Sequence, residues 1–230
     1  MRGKFKKIPR YIKNSSNFPF WLSMLEEARA IIDFKKINYA IDFGCGGGGF
    51  LFLLNLYFPH ISLTGIEKQK QFIDKSKELN EQKKKIKFIH THTLAQIAPE
   101  SQDIIFSQET VYTIENLAAH ASECFNVLKK GGYYIFTIGC HTQNPTWQKR
   151  KDRINFEESY TAYEYSPTEI AQVFYKTGFR INVKRLPVLY PLNFDCGNNG
   201  EFSTIEDLLI SSEEYKLLFV LLKPKYALGS

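Results

Sequence analysis

A chain of 230 residues with 43% hydrophobic and 15% aromatic content can build one core and lacks the polar bias of a disordered segment. Its formal charge of +6 comes largely from the first thirteen residues (Arg2, Lys4, Lys6, Lys7, Arg10, Lys13) and from Lys83, Lys84 and Lys85, which permits an RNA or acidic partner without requiring one. Four cysteines without C-x-x-C spacing exclude a zinc signature and a compact disulfide framework, no apolar run is long enough to span a bilayer, and no apolar stretch follows the basic start as in a signal peptide.

The expectation is therefore a cytoplasmic, soluble protein with free thiols and no metal site. Residues 1–38 read as a basic segment followed by a helix that begins at Pro19, a residue accepted at a first helical position. Leu22, Leu25, Ala28, Ile31 and Ile32 recur close to helical spacing, so this helix lies on the core. Tyr11, Phe18, Phe20 and Trp21 are placed either to pack there or to act as a lid over a ligand.

The next stretch organises the chain. Tyr39 to Phe43 is a short apolar strand, Gly44-Cys45-Gly46-Gly47-Gly48-Gly49 is a tight turn, and Phe50 to Phe58 is a helix closed by Pro59. Glycines without a Cβ let a ligand lie on the backbone, and the helix start directs its N–H groups at the turn. The spacing of Gly44, Gly46 and Gly49 also satisfies G-x-G-x-x-G, which alone is a weak sign of a dinucleotide. Asp42 decides between ligands. Its carboxylate opposes a pyrophosphate at that helix start and suits a cationic amino-acid end, such as that of S-adenosylmethionine. Asp42, Gly44, Gly46 and Gly48 together resemble the first motif of the class I S-adenosylmethionine-dependent methyltransferases.

Ile61 to Ile66 reads as a second strand ending at Glu67. An acid about twenty residues past the glycines is placed to accept hydrogen bonds from both ribose hydroxyls. Gln69 to Glu81 is a polar helix, Lys83 to Lys85 an exposed link, and Ile86 to Ile89 a third strand. In the family resembled, an Asp or Asn after that strand binds the adenine amino group. Here the position is His92, with Thr93 or a nearby backbone group as the substitute. Asp103 to Phe106 is a fourth strand. The crevice of an open parallel sheet lies where strand order reverses, for this family between the first and fourth strands. Ser107-Gln108-Glu109 resembles the S-Q-[DE] segment of the glycine and sarcosine N-methyltransferase relatives, which implies Gln108 near the methionine part and Glu109 and Tyr112 on the acceptor side.

Ile114 to Leu128 is helical, Lys129 to Gly132 a turn, and Tyr133 to Ile138 a fifth strand. Residues 139–166 interrupt the alternation with Cys140, His141, Trp147, a basic run (Lys149, Arg150, Lys151, Arg153) and aromatics. Ser166, Pro167 and Glu169 start a helix as a capping box, which Gly178 ends. Phe179 to Val188 is a sixth strand, residues 190–213 are a second insertion, and Tyr215 to Leu222 is the last strand.

The resemblance implies residues 39–230 as a methyltransferase domain: a Rossmann-like doubly wound α/β sheet of seven strands, mostly parallel with an antiparallel last strand. It implies S-adenosylmethionine as cofactor, with Asp42, Gly44, Cys45, Gly46, Gly48, Glu67, His92, Thr93 and Gln108 around it. The expected activity is methyl transfer to a small-molecule N or O acceptor, with Glu109 or His141 as base and Tyr112 as a positioning hydroxyl. The alternatives are an RNA methyltransferase using the 149–153 run, an inactive S-adenosylmethionine-binding partner protein, and a nicotinamide-dependent oxidoreductase, which Asp42 disfavours.

Overall fold

The computed structural model describes residues 8–80, 86–157, 160–196 and 202–226. The Lys83 to Lys85 link, the first basic residues and the Gly197 to Gly200 part of the second insertion lie outside them. The strands are β1 (Tyr39–Phe43), β2 (Ser62–Glu67), β3 (Ile86–His90), β4 (Gln102–Gln108), β5 (Leu128–Ile138), β6 (Arg180–Arg185) and β7 (Leu217–Leu222). They form one sheet in the order β3-β2-β1-β4-β5-β7-β6. The pairings from β3 to β5 are parallel, whereas β7 runs antiparallel to both β5 and β6. Strand order reverses between β1 and β4, so their carboxyl ends open a crevice.

The helices are α1 (Arg10–Lys13), α2 (Phe18–Ile31), α3 (Gly49–Tyr57), α4 (Lys70–Asn80), α5 (Leu117–Val127), α6 (Trp147–Glu157), α7 (Pro167–Thr177) and α8 (Ile205–Leu209). Two apolar layers sandwich the sheet. On one side Leu22, Leu25, Leu51, Leu54, Phe106 and Ile135 pack together. On the other, Ile41, Ile105, Tyr134, Phe136, Phe174 and Phe219 do. Alternation along β4 and β5 sends neighbouring side chains to opposite layers.

Several boundaries differ from those read off the sequence. The fifth strand begins at Leu128, because Leu128 pairs with Gln102 across an irregularity in the β4–β5 register and Gly131 (φ +82°) turns the chain there. α5 starts at Leu117, where the Asn116 side chain accepts from the Ala119 N–H at 2.9 Å. The first insertion is not irregular: α6 runs through its basic segment. The second contains α8 and a π-helical turn, Ile210–Glu214. The capping box before α7 is present with both bonds, and Gly178 (φ +108°) ends the helix. No helix among the described residues is long and apolar enough to cross a membrane.

Candidate functional site

β1 delivers the glycine turn to the sheet's carboxyl edge. Gly44 and Cys45 both donate to the Ile66 carbonyl, at 2.8 and 3.0 Å, so the turn is tied to the end of β2. Gly44, Gly46 and Gly48 have φ of +75°, +49° and +77°, the left-handed region that side chains resist. A Cβ on Gly46 or Gly47 would meet open space, one on Gly44 would overlap Thr110, and one on Gly49 would overlap the Trp21 ring. The open ground above Gly46 and Gly47 is a cradle for a ligand lying on the backbone.

Glu67 closes the edge of this turn. Its Oε2 accepts from Gly46 N–H at 3.0 Å and its Oε1 from Gln69 N–H at 2.9 Å. Each carboxylate oxygen retains a lone pair for a ribose hydroxyl. Asp42 is 3% exposed. Burial first, and then the Glu67 charge, push its carboxyl up to about 8. Lys68 lies within electrostatic reach of Glu67, but no cation is among the charges that act on Asp42, so a ligand's positive charge would be welcomed there. Burial and both acids also push the Cys45 thiol well up, so Cys45 is an inert wall.

The crevice is a cavity of about 1030 Å³. Gly44, Glu67, His92, Thr93, Gln108, Glu109 and Tyr112 line it. Asp42, Cys45, Gly46 and Gly48 lie on the same turn but are not part of this lining, and His141 is also absent from it. His92 and Thr93 sit at the rim beyond β3. Glu123 of α5 reaches the loop beside them, accepting from Leu94 N–H at 2.8 Å. Trp21 Nε1 donates to Gln108 Oε1 at 2.9 Å, and Gln108 Nε2 donates to Asn17 Oδ1 at 3.2 Å. The start of α2 is thereby fastened across the glycine turn.

On the other side of Gln108 the chain turns at Glu109, a non-glycine residue with φ +51°. Its Oε1 accepts from Lys216 Nζ at 2.9 Å, and Gly139 N–H reaches both carboxylate oxygens, at 2.9 and 3.1 Å. Burial would raise this carboxyl, but Lys216, Arg150 and the hydrogen bonds outweigh it and hold it below the usual carboxylate range. An acid held ionised in this way is a weak proton acceptor. Burial pushes the Tyr112 hydroxyl well up, so it stays a neutral donor and acceptor. His141 Nε2 donates to the Tyr215 carbonyl at 2.7 Å, and burial lowers the ring's affinity for a second proton. That bond ties residue 141 to the segment before β7.

Sequence reading named Arg150 and Arg153 only as part of a basic run, and missed Lys216 and the wall that these residues share. Arg150 and Arg153 of α6, Ser211 and Ser212 of the π-helical turn, and Lys216 all line the cavity. Lys216 is only 4% exposed, with its ammonium 4.0 Å from the centre of the Phe20 ring. A lysine just ahead of the apolar run Leu217–Leu222 was the one available signal for it.

A glycine cradle at the switch point of an open parallel sheet, beside a buried acid that no cation offsets, suits a nucleoside cofactor with a positively charged tail. Residues 41–136 match the family model described as a methyltransferase domain, and the fold is the one shared by the class I S-adenosylmethionine-dependent methyltransferases. None of the curated proteins matches it. Among solved structures, a chain from the Haloferax volcanii complex of the Trm112 methyltransferase activator with a methyltransferase is similar at TM-score 0.71 and 17% identity, covering 88% of this chain and 89% of that one. A Galdieria sulphuraria protein described as a sarcosine dimethylglycine methyltransferase gives 0.67 and 16%, over 90% and 86%. The geranyl diphosphate C-methyltransferase of Streptomyces coelicolor gives 0.66 and 16%, over 94% and 90%. Such identities establish a shared fold. Solved neighbours of this fold hold S-adenosylmethionine or S-adenosylhomocysteine, and the cradle over Gly46 and Gly47, Glu67 and the uncompensated Asp42 fit S-adenosylmethionine as cofactor.

Proposed function

We propose that this protein transfers a methyl group to a nitrogen or oxygen atom of a small-molecule acceptor. The observation that carries this reading is the enclosure of the cleft. Asn17 and Phe20 from the α2 side, and Arg150 and Ile154 from α6, line the same cavity as Gly44 of the glycine turn. A space of about 1030 Å³ is at the upper end of small-molecule sites and has room for donor and acceptor together. The basic run 149–153 is divided: Arg150 and Arg153 line the cleft, Lys151 pairs with Glu164 at 2.6 Å, and Lys149 is exposed. That division speaks against a continuous track for an RNA backbone.

In this reading Asp42 faces the cationic end of the donor, Glu67 the ribose, and His92 and Thr93 the adenine, with Gly44, Cys45, Gly46 and Gly48 shaping the bed. Gln108 flanks the methionine part. When bound, S-adenosylmethionine would supply an activated sulfonium methyl: the acceptor lone pair bonds to that carbon as the C–S bond breaks, and the neutral thioether S-adenosylhomocysteine leaves. The chain's task is to hold the acceptor atom opposite that methyl and to exclude water, an effect of proximity. Tyr112, a neutral hydroxyl, orients the acceptor. Glu109 fixes Lys216, and His141 braces the wall from behind. A neutral amine attacks without a base and loses its proton to solvent afterwards.

The test is a methyl-transfer screen over amines, phenols, carboxylates and RNA, following S-adenosylhomocysteine release. Turnover confined to RNA would overturn the small-molecule reading. Donor binding without turnover on any acceptor would favour an inactive partner protein.

A further inference from the structure

Three polar side chains link α2 to the end of β4, and one of them fixes the polarity of all three. The indole of Trp21 can donate a hydrogen bond but not accept one. The carbonyl of the Gln108 side chain must therefore face it, and the two meet at 2.9 Å. The Gln108 amide nitrogen is turned the other way, where it donates to Asn17 Oδ1 at 3.2 Å. With its oxygen engaged, Asn17 presents its own NH2, a group that only donates. That nitrogen has no partner among the described residues, and Asn17 is exposed in the free chain.

The sheet puts the end of this relay beside the glycine turn. Asp42 pairs with Phe106 across β1 and β4, so Gln108 leaves β4 next to that turn. Asn17, Gln108 and Gly44 line the same cavity. Trp21 lies one helical turn from Asn17, its backbone N–H on the Asn17 carbonyl at 3.0 Å, and its ring covers Gly49. The amino-acid tail of S-adenosylmethionine carries its ammonium and its carboxylate on one carbon, so a group that reads either has the other close by. Asp42 attracts the ammonium and repels the carboxylate. The carboxylate calls for donors, and an amide NH2 gives it a charge-assisted hydrogen bond. Of the cations that line the cleft, Lys68 lies over the Tyr160 ring at 4.9 Å, Lys216 holds Glu109 at 2.9 Å, and Arg150 donates to Ser211 and acts on Glu109.

We propose that Asn17 reads the carboxylate of the donor's amino-acid tail, with Trp21 and Gln108 as positioning residues that keep its NH2 turned toward the ligand. This rests on S-adenosylmethionine as the donor and adds a specificity to that site. The relay tells an intact amino-acid tail from one without its carboxylate, among ligands that share the same nucleoside and ammonium.

The experiment titrates the full chain with S-adenosylhomocysteine and with its decarboxylated analogue, which keeps the ammonium, thioether and nucleoside, and follows both by calorimetry at one pH. Asn17→Ala weakens S-adenosylhomocysteine about tenfold, as loss of a hydrogen bond to a charged group does, and leaves the analogue within about twofold, so the cycle of variant against ligand isolates the contact. Asn17→Asp, which replaces the NH2 by a carboxylate oxygen, weakens S-adenosylhomocysteine further and tightens the analogue. Trp21→Phe keeps a ring over Gly49 and removes the indole N–H; it weakens S-adenosylhomocysteine severalfold and spares the analogue. The proposal is overturned if Asn17→Ala leaves S-adenosylhomocysteine unchanged, since the carboxylate then belongs to another group such as Lys216. It is also overturned if Asn17→Ala weakens both ligands alike, since Asn17 would then only hold α2 in place. Equal losses on both ligands in Trp21→Phe overturn the relay. Failure of wild type to bind either ligand would instead remove the donor reading beneath it.

Discussion

Asp42 is the residue on which the choice of ligand turns. Its carboxyl stands near 8 in the free chain because burial and Glu67 both oppose its charge. A ligand with a cationic tail needs the ionised form, so binding releases a proton. Between pH 5.5 and 7.5 the dissociation constant for S-adenosylhomocysteine should fall with rising pH, by up to about tenfold per unit, and Asp42→Asn should flatten the slope. Calorimetry in buffers of different ionisation enthalpy measures both. For the free chain the sign is opposite. A carboxyl raised in the fold favours the protonated native state, so stability declines as pH climbs toward 8 and ligand restores it. Glu109 behaves the other way: held below the usual range by Lys216, it adds stability that is lost only in acid. Turnover between pH 6 and 9 should therefore show no limb from Glu109. Glu109→Gln should strand the buried Lys216 charge at a cost of about 3 kcal/mol, read as a lower melting temperature.

At the scale of elements, α2 is the piece to test. Gly49 lies at the first position of α3 without a positive φ, and an added Cβ would meet the Trp21 ring. Gly49→Ala should keep the fold, displace Trp21, shift its fluorescence and weaken donor binding about tenfold. Amide exchange in Phe18–Ile31 should slow when S-adenosylhomocysteine is bound if α2 closes the cleft as a lid. What could be read from the chain beforehand divides along similar lines. The strands of the sheet and the glycine turn announce themselves through apolar runs and φ-permissive residues, and the acids at Asp42 and Glu67 follow from spacing. α6 does not. Its inward positions Trp147, Arg150 and Ile154 fall at helical intervals, but an arginine fills a slot where pattern reading expects an apolar side chain. Lys216 hides for the same reason, since a charged residue beside an apolar strand reads as solvated. Their burial depends on partners remote in sequence, Phe202 and Glu109 among them.

For the whole molecule, ligand linkage gives the broadest check. S-adenosylhomocysteine at a hundred times its dissociation constant should add about 2.7 kcal/mol, a rise of roughly 5–10 °C for a domain of this size. NAD and NADP should add nothing, because a diphosphate would face Asp42. The sheet order carries a different consequence. β6 stands at the sheet edge and pairs with β7, and β7 also pairs with β5. The strand that joins them, Leu217–Leu222, is the last to be synthesised. During translation β5 and β6 must wait, one flank bare, until that final strand clears the ribosome and slides between them. The wall that Lys216 completes just ahead of it can form only then, after the glycine turn and its Glu67 partner have long been synthesised.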